Sequence, residues 1–168
     1  MEIKTPRLVI KNLSKEDEGG MVKLLNNKDI KKTYMIPDFD SGEKSIAYFN
    51  KLLNISLGNE RILLGIYLDN QIIGMTNEVS KKEDEIELGY FIDPMYWNKG
   101  YATEVLKAMI TQMFILGYQR VISGYFEENP ASGRVMEKSG MKPIDLIDNI
   151  YYRNKNHKCL YYEKRKDG

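Results

Sequence analysis

The sequence predicts an α+β domain built on a mixed, mostly antiparallel sheet. Two observations indicate this fold class. β-Forming residues recur with a period of two between Arg61 and Ile92, and turn signals divide that stretch into three strands. Apolar residues then recur at helical spacing between Gly100 and Leu116. With the shorter patterns on either side, the predicted order is βααβββαβαββ in a single domain of residues 1–168.

The first third of the chain predicts one strand and two helices. Residues Ile3 to Lys11 have the composition of a strand, and Ser14 is placed as the N-cap of the first helix. Residues 29–40 contain a proline and several acids and favour a loop. A second helix is predicted from Ser41 to about Ser56. The expected apolar faces are Met21, Leu24 and Leu25 in the first helix and Ile46, Phe49, Leu52 and Leu53 in the second.

Three strands in succession form an antiparallel meander in the middle of the chain. They are predicted at Arg61–Leu68, Gln71–Val79 and Glu85–Ile92. Asp69-Asn70 is a turn signal between the first two, and Lys81–Asp84 is a predicted turn between the second and the third.

The rest of the chain alternates helices with strands. Gly117 stands where a glycine ends the Gly100–Leu116 helix. Asn129 and Pro130 are typical of the N-cap and first position of another helix, which ends near Gly140. The remaining strands are predicted at Arg120–Phe126, Met141–Tyr152 and Lys158–Lys164.

Composition excludes several classes of function. The chain has 25 basic and 24 acidic residues and a net charge of +1, so no strong field favours binding to nucleic acid or to an anionic membrane. No apolar run is long enough to span a bilayer, and residues 1–7 lack the apolar stretch of a signal peptide. The expected location is the cytoplasm.

Cysteine and histidine each occur once, as Cys159 and His157. A single cysteine forms no intrachain disulfide, and the pair is too small for a usual zinc site, so no metal is expected. Cys159 is interpreted as a packed thiol within a strand. His157 follows a run of polar residues and is interpreted as part of a turn.

An anion site is predicted where the third meander strand gives way to the long helix. The first amides of a helix have no partner inside it and lie at the positive end of its dipole, which suits a pyrophosphate. Gly100 allows close approach to the backbone, Ala102 keeps the first turn small and Thr103 adds a hydroxyl. The spacing matches neither a Walker A loop nor a dinucleotide-binding fingerprint, and an ordinary strand-to-helix turn is an equal alternative.

Two segments together resemble motifs A and B of the GNAT superfamily of N-acetyltransferases. The first runs from Glu85 to Glu104 and the second, with Asn-x-x-Ser-x-Arg and Glu-Lys-x-Gly spacing, from Asn129 to Met141. The usual Gln or Arg of motif A is replaced by Trp97, as in the RimJ/RimL-like branch. The opening run Thr5–Lys11 is also similar to that branch, so the resemblance covers the chain to about Glu163.

The resemblance implies the GNAT fold, in which two central strands splay apart, and acetyl-CoA as cosubstrate. The strands that match the splayed pair are Glu85–Ile92 and Arg120–Phe126. The residues that it assigns to acetyl-CoA are Phe91, Ile92, Trp97, Asn98, Lys99, Gly100, Tyr101, Ala102, Thr103, Asn129, Ser132 and Arg134. For Lys99 and Arg134 a solvated surface position is an equal alternative.

The resemblance also implies direct attack of an amine on the thioester. Glu87 is the candidate base because strand alternation places it on the face of Gly89 and Phe91. Its alternative role is a surface carboxylate. Many family members protonate the leaving sulfur with a tyrosine at the position held here by Met136, so Ser132 is the candidate acid, with a purely local hydrogen bond as its alternative.

The acceptor is left open by the sequence. Family resemblance favours a protein N-terminal α-amine, and small amines such as polyamines, amino acids and aminoglycosides are alternatives. Tyr34, Phe39 and Tyr90 are placed near an acceptor groove. A noncatalytic acetyl-CoA sensor and a nucleotide-binding module are further alternatives. An exposed edge strand near the C-terminus suggests a homodimer.

Overall fold

Eight strands and five α-helices follow one another along residues 1–167, the part of the chain that the computed structural model describes. Two short 3-10 helices, Lys15–Asp17 and Pro94–Tyr96, precede α1 and α4. The elements are β1 Glu2–Lys4, β2 Val9–Lys11, α1 Glu18–Leu25, α2 Lys28–Lys31, α3 Gly42–Leu57, β3 Leu63–Leu68, β4 Gln71–Lys82, β5 Glu85–Ile92, α4 Tyr101–Ile115, β6 Arg120–Phe126, α5 Pro130–Lys138, β7 Lys142–Tyr152 and β8 Lys155–Arg165. No helix within residues 1–167 is long and apolar enough to cross a membrane.

The chain divides into two compact units. Unit 1 consists of Met1–Asn77 and Tyr90–Tyr101, and unit 2 consists of Glu78–Gly89 and the residues from Ala102 onward. The strand order is β1-β2-β3-β4-β5 in unit 1 and β4-β5-β6-β8-β7 in unit 2. The β5–β6 pair is parallel, whereas β1–β2, β2–β3, β3–β4, β6–β8 and β7–β8 are antiparallel. The predicted mixed, mostly antiparallel sheet is therefore confirmed.

The predicted strand Ile3–Lys11 is in fact a hairpin of β1 and β2. The amide of Thr5 donates to the Leu8 carbonyl at 2.9 Å, and the amide of Leu8 donates to Thr5 Oγ1 at 3.0 Å. These bonds close a turn around Pro6, whose ring nitrogen has no hydrogen to give a strand ladder. The observed order thus has one more strand than predicted, and α2 adds one more helix.

A core of unit 1 lies between α1, α2, α3 and the adjoining strands. Met21, Leu24, Leu25, Phe49, Leu52 and Leu53 are all buried, as predicted. The prediction for Ile46 is wrong, because this side chain is 38% exposed. Its neighbour Ser45 takes the buried position instead, and its hydroxyl donates to the Gly42 carbonyl at 2.9 Å. Adjacent residues of a helix point about 100° apart, so only one of the two faces the core.

Several predicted boundaries shift by one to three residues. The turn after β4 contains only Glu83 and Asp84, and Glu83 has a φ of 52°, so Lys81 and Lys82 belong to the strand. Asp69 and Asn70 form the expected turn, with φ of 48° and 66°. Other elements begin or end elsewhere than predicted, namely β3 at Leu63, α4 at Tyr101 and Ile115, α5 at Lys138, β7 at Lys142 and β8 at Lys155 and Arg165.

A small core of unit 2 surrounds Phe126, Cys159 and Tyr161. Cys159 is buried, which confirms the packed thiol. The prediction that His157 belongs to a turn is wrong: it lies in β8, its ring stacks on Phe126 with centroids 4.5 Å apart, and its Nε2 lies 2.9 Å from the Tyr152 carbonyl. The turn itself consists of Arg153 and Asn154, with φ of 52° and 58°.

Candidate active site

The turn between β5 and α4 lies in unit 1 and exposes its backbone to solvent. Asp93 caps the short 3-10 helix by accepting the Met95 amide at 3.0 Å. Asn98 and Gly100 then adopt left-handed conformations, with φ of 60° and 80°. Residues 97–100 are all exposed, and α4 begins directly after them. This geometry presents successive amides at the start of a helix, which is the arrangement that suits an anion.

Trp97 supports this turn from within unit 1. Its indole Nε1 donates to the Ile92 carbonyl at 2.7 Å, which ties the turn to the end of β5. The ring itself is 46% exposed. The sequence assigned Trp97 to acetyl-CoA binding. The structure shows that its indole bonds the protein backbone and holds the turn.

Arg7 is a functional candidate that the sequence prediction missed. Its guanidinium Nη1 donates to the Lys99 carbonyl at 2.9 Å, and its Cζ lies 4.3 Å from the centroid of the Tyr101 ring. The only signal for it was its place in the opening run Thr5–Lys11, since the two partners are more than ninety residues away in sequence. Arg7, Lys99 and Tyr101 all belong to unit 1.

The end of β5 in unit 1 packs tightly on β4. The Asp93 amide donates to the Ile73 carbonyl at 2.7 Å. A Cβ on Gly74 would collide with the Phe91 carbonyl oxygen and lie 3.2 Å from the Ile92 Cα. Glycine is thus required at residue 74 for the backbone of Phe91 and Ile92 to take its position, and this requirement was not visible in the sequence.

The three predicted acceptor residues have different surroundings within unit 1. The Tyr34 hydroxyl donates to Asn77 Oδ1 at 2.6 Å, and its ring meets Phe91 edge-on at 4.9 Å. Burial raises the pKa of Tyr34, so its phenol stays neutral. Phe39 packs on Tyr48 at 5.3 Å, and both Tyr34 and Phe39 border the same core. Tyr90 is half-buried, and its role stays a prediction.

β5 and β6 pair over a short ladder in unit 2. The register runs from Glu85↔Arg120 to Glu87↔Ile122. Beyond these pairs, the Oγ of the buried Ser123 donates to the Leu88 carbonyl at 2.8 Å. The hydroxyl satisfies a strand carbonyl beyond the last paired residues. This contact of Ser123 was not predicted, because a serine within a strand pattern does not by itself indicate a side-chain bond to the neighbouring strand.

Glu87 and Glu85 lie on the same strand but have different partners. Glu85 Oε2 forms an ion pair with Arg120 Nη1 at 2.6 Å, and Arg120 also pairs with Glu163. Glu87 instead accepts a hydrogen bond from Ser80 Oγ at 3.1 Å. Burial raises the pKa of Glu87 above its usual range, and its ionised form is further disfavoured by the negative charge of Asp148, although the Ser80 hydrogen bond offsets part of this effect.

Tyr161, Asp148 and Cys159 complete the polar surroundings of Glu87 in unit 2. The Tyr161 hydroxyl donates to Asp148 Oδ2 at 2.8 Å. Burial raises the pKa values of both Tyr161 and Cys159, and the charge of Glu87 raises them further. Tyr161 and Cys159 therefore stay protonated at neutral pH. Glu87 is a half-buried carboxylate with a raised proton affinity, a property that suits a general base.

The start of α5 carries the remaining predicted residues. Asn129 holds the N-cap position, as predicted, and its side chain makes no cap hydrogen bond. Ser132 is half-buried in the first turn and Arg134 is exposed. Met136 is fully buried, so its position faces the protein interior. A Cβ on Gly133 would lie 2.8 Å from the Tyr125 ring, which brings this turn close to β6.

Comparison with known proteins identifies the family. Residues 7–142 match the model of the acetyltransferase (GNAT) domain. The N-acetyltransferase YoaA of Bacillus subtilis (strain 168) is 24% identical over 157 residues, which cover 90% of this chain and 89% of YoaA. A GNAT-family acetyltransferase structure from Bacillus anthracis covers both chains fully, with a TM-score of 0.85 and 26% identity.

The fold is shared with a second group of structures. RimL, described as a ribosomal L7/L12 α-N-protein acetyltransferase in complex with coenzyme A, superposes with a TM-score of 0.87 over 99% of both chains. At 16% identity this likeness concerns the fold. The matched domain spans β2 to α5 and includes Glu87 and the exposed turn before α4. The chain therefore belongs to the GNAT family and is an acetyl-CoA-dependent N-acetyltransferase.

Proposed function

We propose that this chain transfers the acetyl group of acetyl-CoA to a primary amine by direct attack within a ternary complex. The observation that carries this proposal is the exposed turn of residues 97–100, which places left-handed Asn98 and Gly100 immediately before α4 in a chain of the GNAT family. Such a turn offers several backbone donors to one anion.

Acetyl-CoA is bound by backbone groups and by polar or charged side chains. Backbone amides from Asn98 to Thr103 bind the pyrophosphate, and the backbone of Phe91 and Ile92 pairs with the pantetheine arm. Asn129 adds a side-chain contact to that arm, which is supported by its lack of a cap hydrogen bond. The exposed cations Lys99 and Arg134 attract the phosphates.

The chemistry forms one bond and breaks one. The amine lone pair attacks the thioester carbon, the C–S bond breaks, and the acetyl group remains on nitrogen. Glu87 accepts the proton that the amine loses, directly or through a water. A backbone amide near Ile92 stabilises the oxyanion. The coenzyme A thiolate takes a proton either from Ser132, whose oxygen regains a proton from water, or directly from solvent.

Substitution of Ser132 shows whether Ser132 or solvent protonates the coenzyme A thiolate. If Ser132 is the acid, Ser132→Ala lowers kcat by about 10² to 10⁴, the usual contribution of a positioned acid. Single-turnover rates with acetyl-CoA measure the effect, and Ser139→Ala serves as the control because its hydroxyl donates only to the Val135 carbonyl within α5. A mild loss in Ser132→Ala would assign protonation to water.

An N-terminal α-amine is the favoured acceptor. An α-amine has a pKa of about 7.7 to 8.0 and a lysine amine about 10.4, so deprotonation at pH 7 costs about 1 and about 4 to 5 kcal/mol respectively. A carboxylate base therefore acts more readily on the α-amine. The fold that the chain shares with RimL supports this choice, and Tyr34, Phe39 and Tyr90 are proposed to line the acceptor site.

A panel of amines tests the acceptor against its alternatives. Peptides with free N-termini are compared with Nα-blocked lysine peptides, spermidine, amino acids and an aminoglycoside, and release of the coenzyme A thiol is followed. We expect the free peptides to have the highest kcat/KM. Preference for a small amine would contradict the α-amine proposal, and binding without turnover of any amine would favour the sensor.

A homodimer is proposed through β7. This strand stands last in the order of unit 2 and exposes Leu146, Ile147 and Tyr151. Unpaired edges with apolar side chains favour association. Sedimentation at rising concentration should give twice the 19.6 kDa chain mass, and a constant monomer mass would contradict the proposal.

A further inference from the structure

Arg7 lies in the tight turn between β1 and β2. The amide of Thr5 donates to the Leu8 carbonyl at 2.9 Å, and Thr5 Oγ1 also donates to that carbonyl, at 3.3 Å. The Leu8 side chain is buried, which anchors this end of the turn. The backbone of Arg7 is thus held, while its side chain is exposed and extends to the β5–α4 turn.

Two residues of that turn and the first residue of α4 lie near the guanidinium. Nη1 donates to the Lys99 carbonyl at 2.9 Å, and Cζ stands 4.3 Å from the centroid of the Tyr101 ring. Between them, a Cβ on Gly100 would lie 3.3 Å from Nη2. The guanidinium therefore bonds Lys99, stacks on Tyr101 and leaves little room for a side chain at residue 100. Bonding and stacking together are characteristic of arginine rather than lysine.

The bond to Lys99 determines the direction of an amide. In a trans peptide the carbonyl and the following N–H point in opposite directions. Because Arg7 holds the Lys99 carbonyl, the N–H of Gly100 points away from the guanidinium. That N–H is one of the amides assigned to the pyrophosphate, so the guanidinium lies on the opposite side of the backbone from the anion that this amide binds.

We propose that Arg7 is a positioning residue for acetyl-CoA: it fixes the Lys99–Gly100 peptide so that the turn presents its amides to the pyrophosphate. The inference rests on the proposed function, because it assigns the turn to that ligand. A turn with left-handed residues at Asn98 and Gly100 loses conformational freedom when it binds. Arg7 lowers this loss by ordering the turn beforehand.

Two variants and one control test the role. Arg7→Ala removes both the hydrogen bond to Lys99 and the positive charge. Arg7→Lys keeps the charge but lacks the planar guanidinium. Lys11→Ala is the control, because Lys11 also places a cation over a tyrosine, 4.9 Å from the Tyr67 ring, but has no such contact with the turn. Titration calorimetry with acetyl-CoA should give a Kd about tenfold higher for both Arg7 variants and an unchanged Kd for the control.

A shortened acetyl donor distinguishes an effect of Arg7 on pyrophosphate binding from an effect on the whole active site. S-acetylpantetheine lacks the pyrophosphate, so kcat/KM with this donor should be equal in wild type and Arg7→Ala. With acetyl-CoA, the same variant should lose about tenfold, mainly through KM. Equal losses with both donors would overturn the proposal, since Arg7 would then support the whole site. Wild-type binding by Arg7→Lys would also overturn it, because charge alone would suffice.

The only tryptophan, Trp97, reports on the turn without any ligand. Its ring is partly exposed, and its indole bonds the Ile92 carbonyl at the end of β5. Arg7→Ala should increase the quenching of Trp97 fluorescence by acrylamide, whereas Lys11→Ala should not. Unchanged quenching would overturn the ordering role of Arg7. A wild-type chain that binds no acetyl-CoA would instead contradict the proposed function.

Discussion

Burial of Glu87 costs the folded state free energy whenever the carboxylate is ionised. Its surroundings include a serine hydroxyl and the negative charge of Asp148, and burial is the main reason that its pKa is raised. A raised pKa gives a stronger base, which acid–base catalysis uses at neutral pH. The same property makes Glu87 a source of instability, as is common for groups in active sites.

The direction of the pH effect follows from proton linkage. Because the folded-state pKa of Glu87 is raised, the folded chain binds more protons than the unfolded chain between the two pKa values. Stability therefore falls as pH rises through that window. The cost is fully present above the folded-state pKa and vanishes below the ordinary pKa of a glutamate.

Glu87→Gln should raise stability at neutral pH and lower activity. The free energy of unfolding should increase at pH 7 and show no increase below the ordinary pKa of a glutamate, and the acidic limb of kcat/KM should disappear. Chemical denaturation at several pH values and pH–rate profiles measure both effects. Wild-type kcat in Glu87→Gln across the pH range would remove Glu87 from the mechanism.

Glu85→Gln is the matched control on the same strand. This carboxylate pairs with Arg120 at 2.6 Å, so the same substitution removes a favourable contact. Its loss should lower stability by about 0 to 1 kcal/mol, the range for partly exposed pairs, and leave the pH–rate profile unchanged. Changes of opposite sign in the free energy of unfolding for Glu87→Gln and Glu85→Gln would show that the environment of Glu87 is what destabilises its carboxylate.

The elements that position the site differ in how well their sequences specify them. β5 and β6 match their predicted bounds because period-two patterns end at clear turn signals. The β4–β5 turn is shorter than predicted, since two exposed lysines are compatible with either a strand or a turn. With the two-residue turn at Glu83 and Asp84, Ser80 lies beside Glu87, and the predicted four-residue turn hid that pairing.

Other parts of the site depend on contacts between elements far apart in sequence. Gly74 has no local turn signal, and its need for glycine arises from the Phe91 carbonyl of the neighbouring strand. Arg7 reaches a turn that follows more than ninety residues later. Local pattern predicts neither contact, because both are set by strand register and by side-chain reach within unit 1.

Gly74→Ala should destabilise the chain by about 1 to 3 kcal/mol, because the added carbon meets backbone that cannot move aside easily. Gly19→Ala is the matched control. It lies in α1 with nothing within 4 Å of an added Cβ, and alanine favours a helix, so it should stabilise by about 0.5 to 1 kcal/mol. Thermal and urea denaturation measure both. Equal effects of the two substitutions would contradict the packing of β4 against β5.

At the scale of the whole molecule, the family, the fold class and the enzyme class were predicted from ordered motifs rather than from composition. The family match covers residues 7–142, which is most of the chain. The assignment of individual residues to acetyl-CoA stays a proposal, and the exposed turn before α4 is its main support. The proposed function consequently depends most on the claim that acetyl-CoA binds at that turn.

Titration calorimetry with acetyl-CoA tests this claim, with wild type beside Gly100→Glu and Gly117→Glu. Both glycines are exposed and have positive φ, 80° and 105°, so the two variants add the same charge and a similar backbone strain. Gly117 follows the far end of α4. We predict micromolar binding by wild type and Gly117→Glu, and loss of binding in Gly100→Glu. Absence of binding by wild type would contradict the proposed function, and equal binding by all three would contradict binding at the turn.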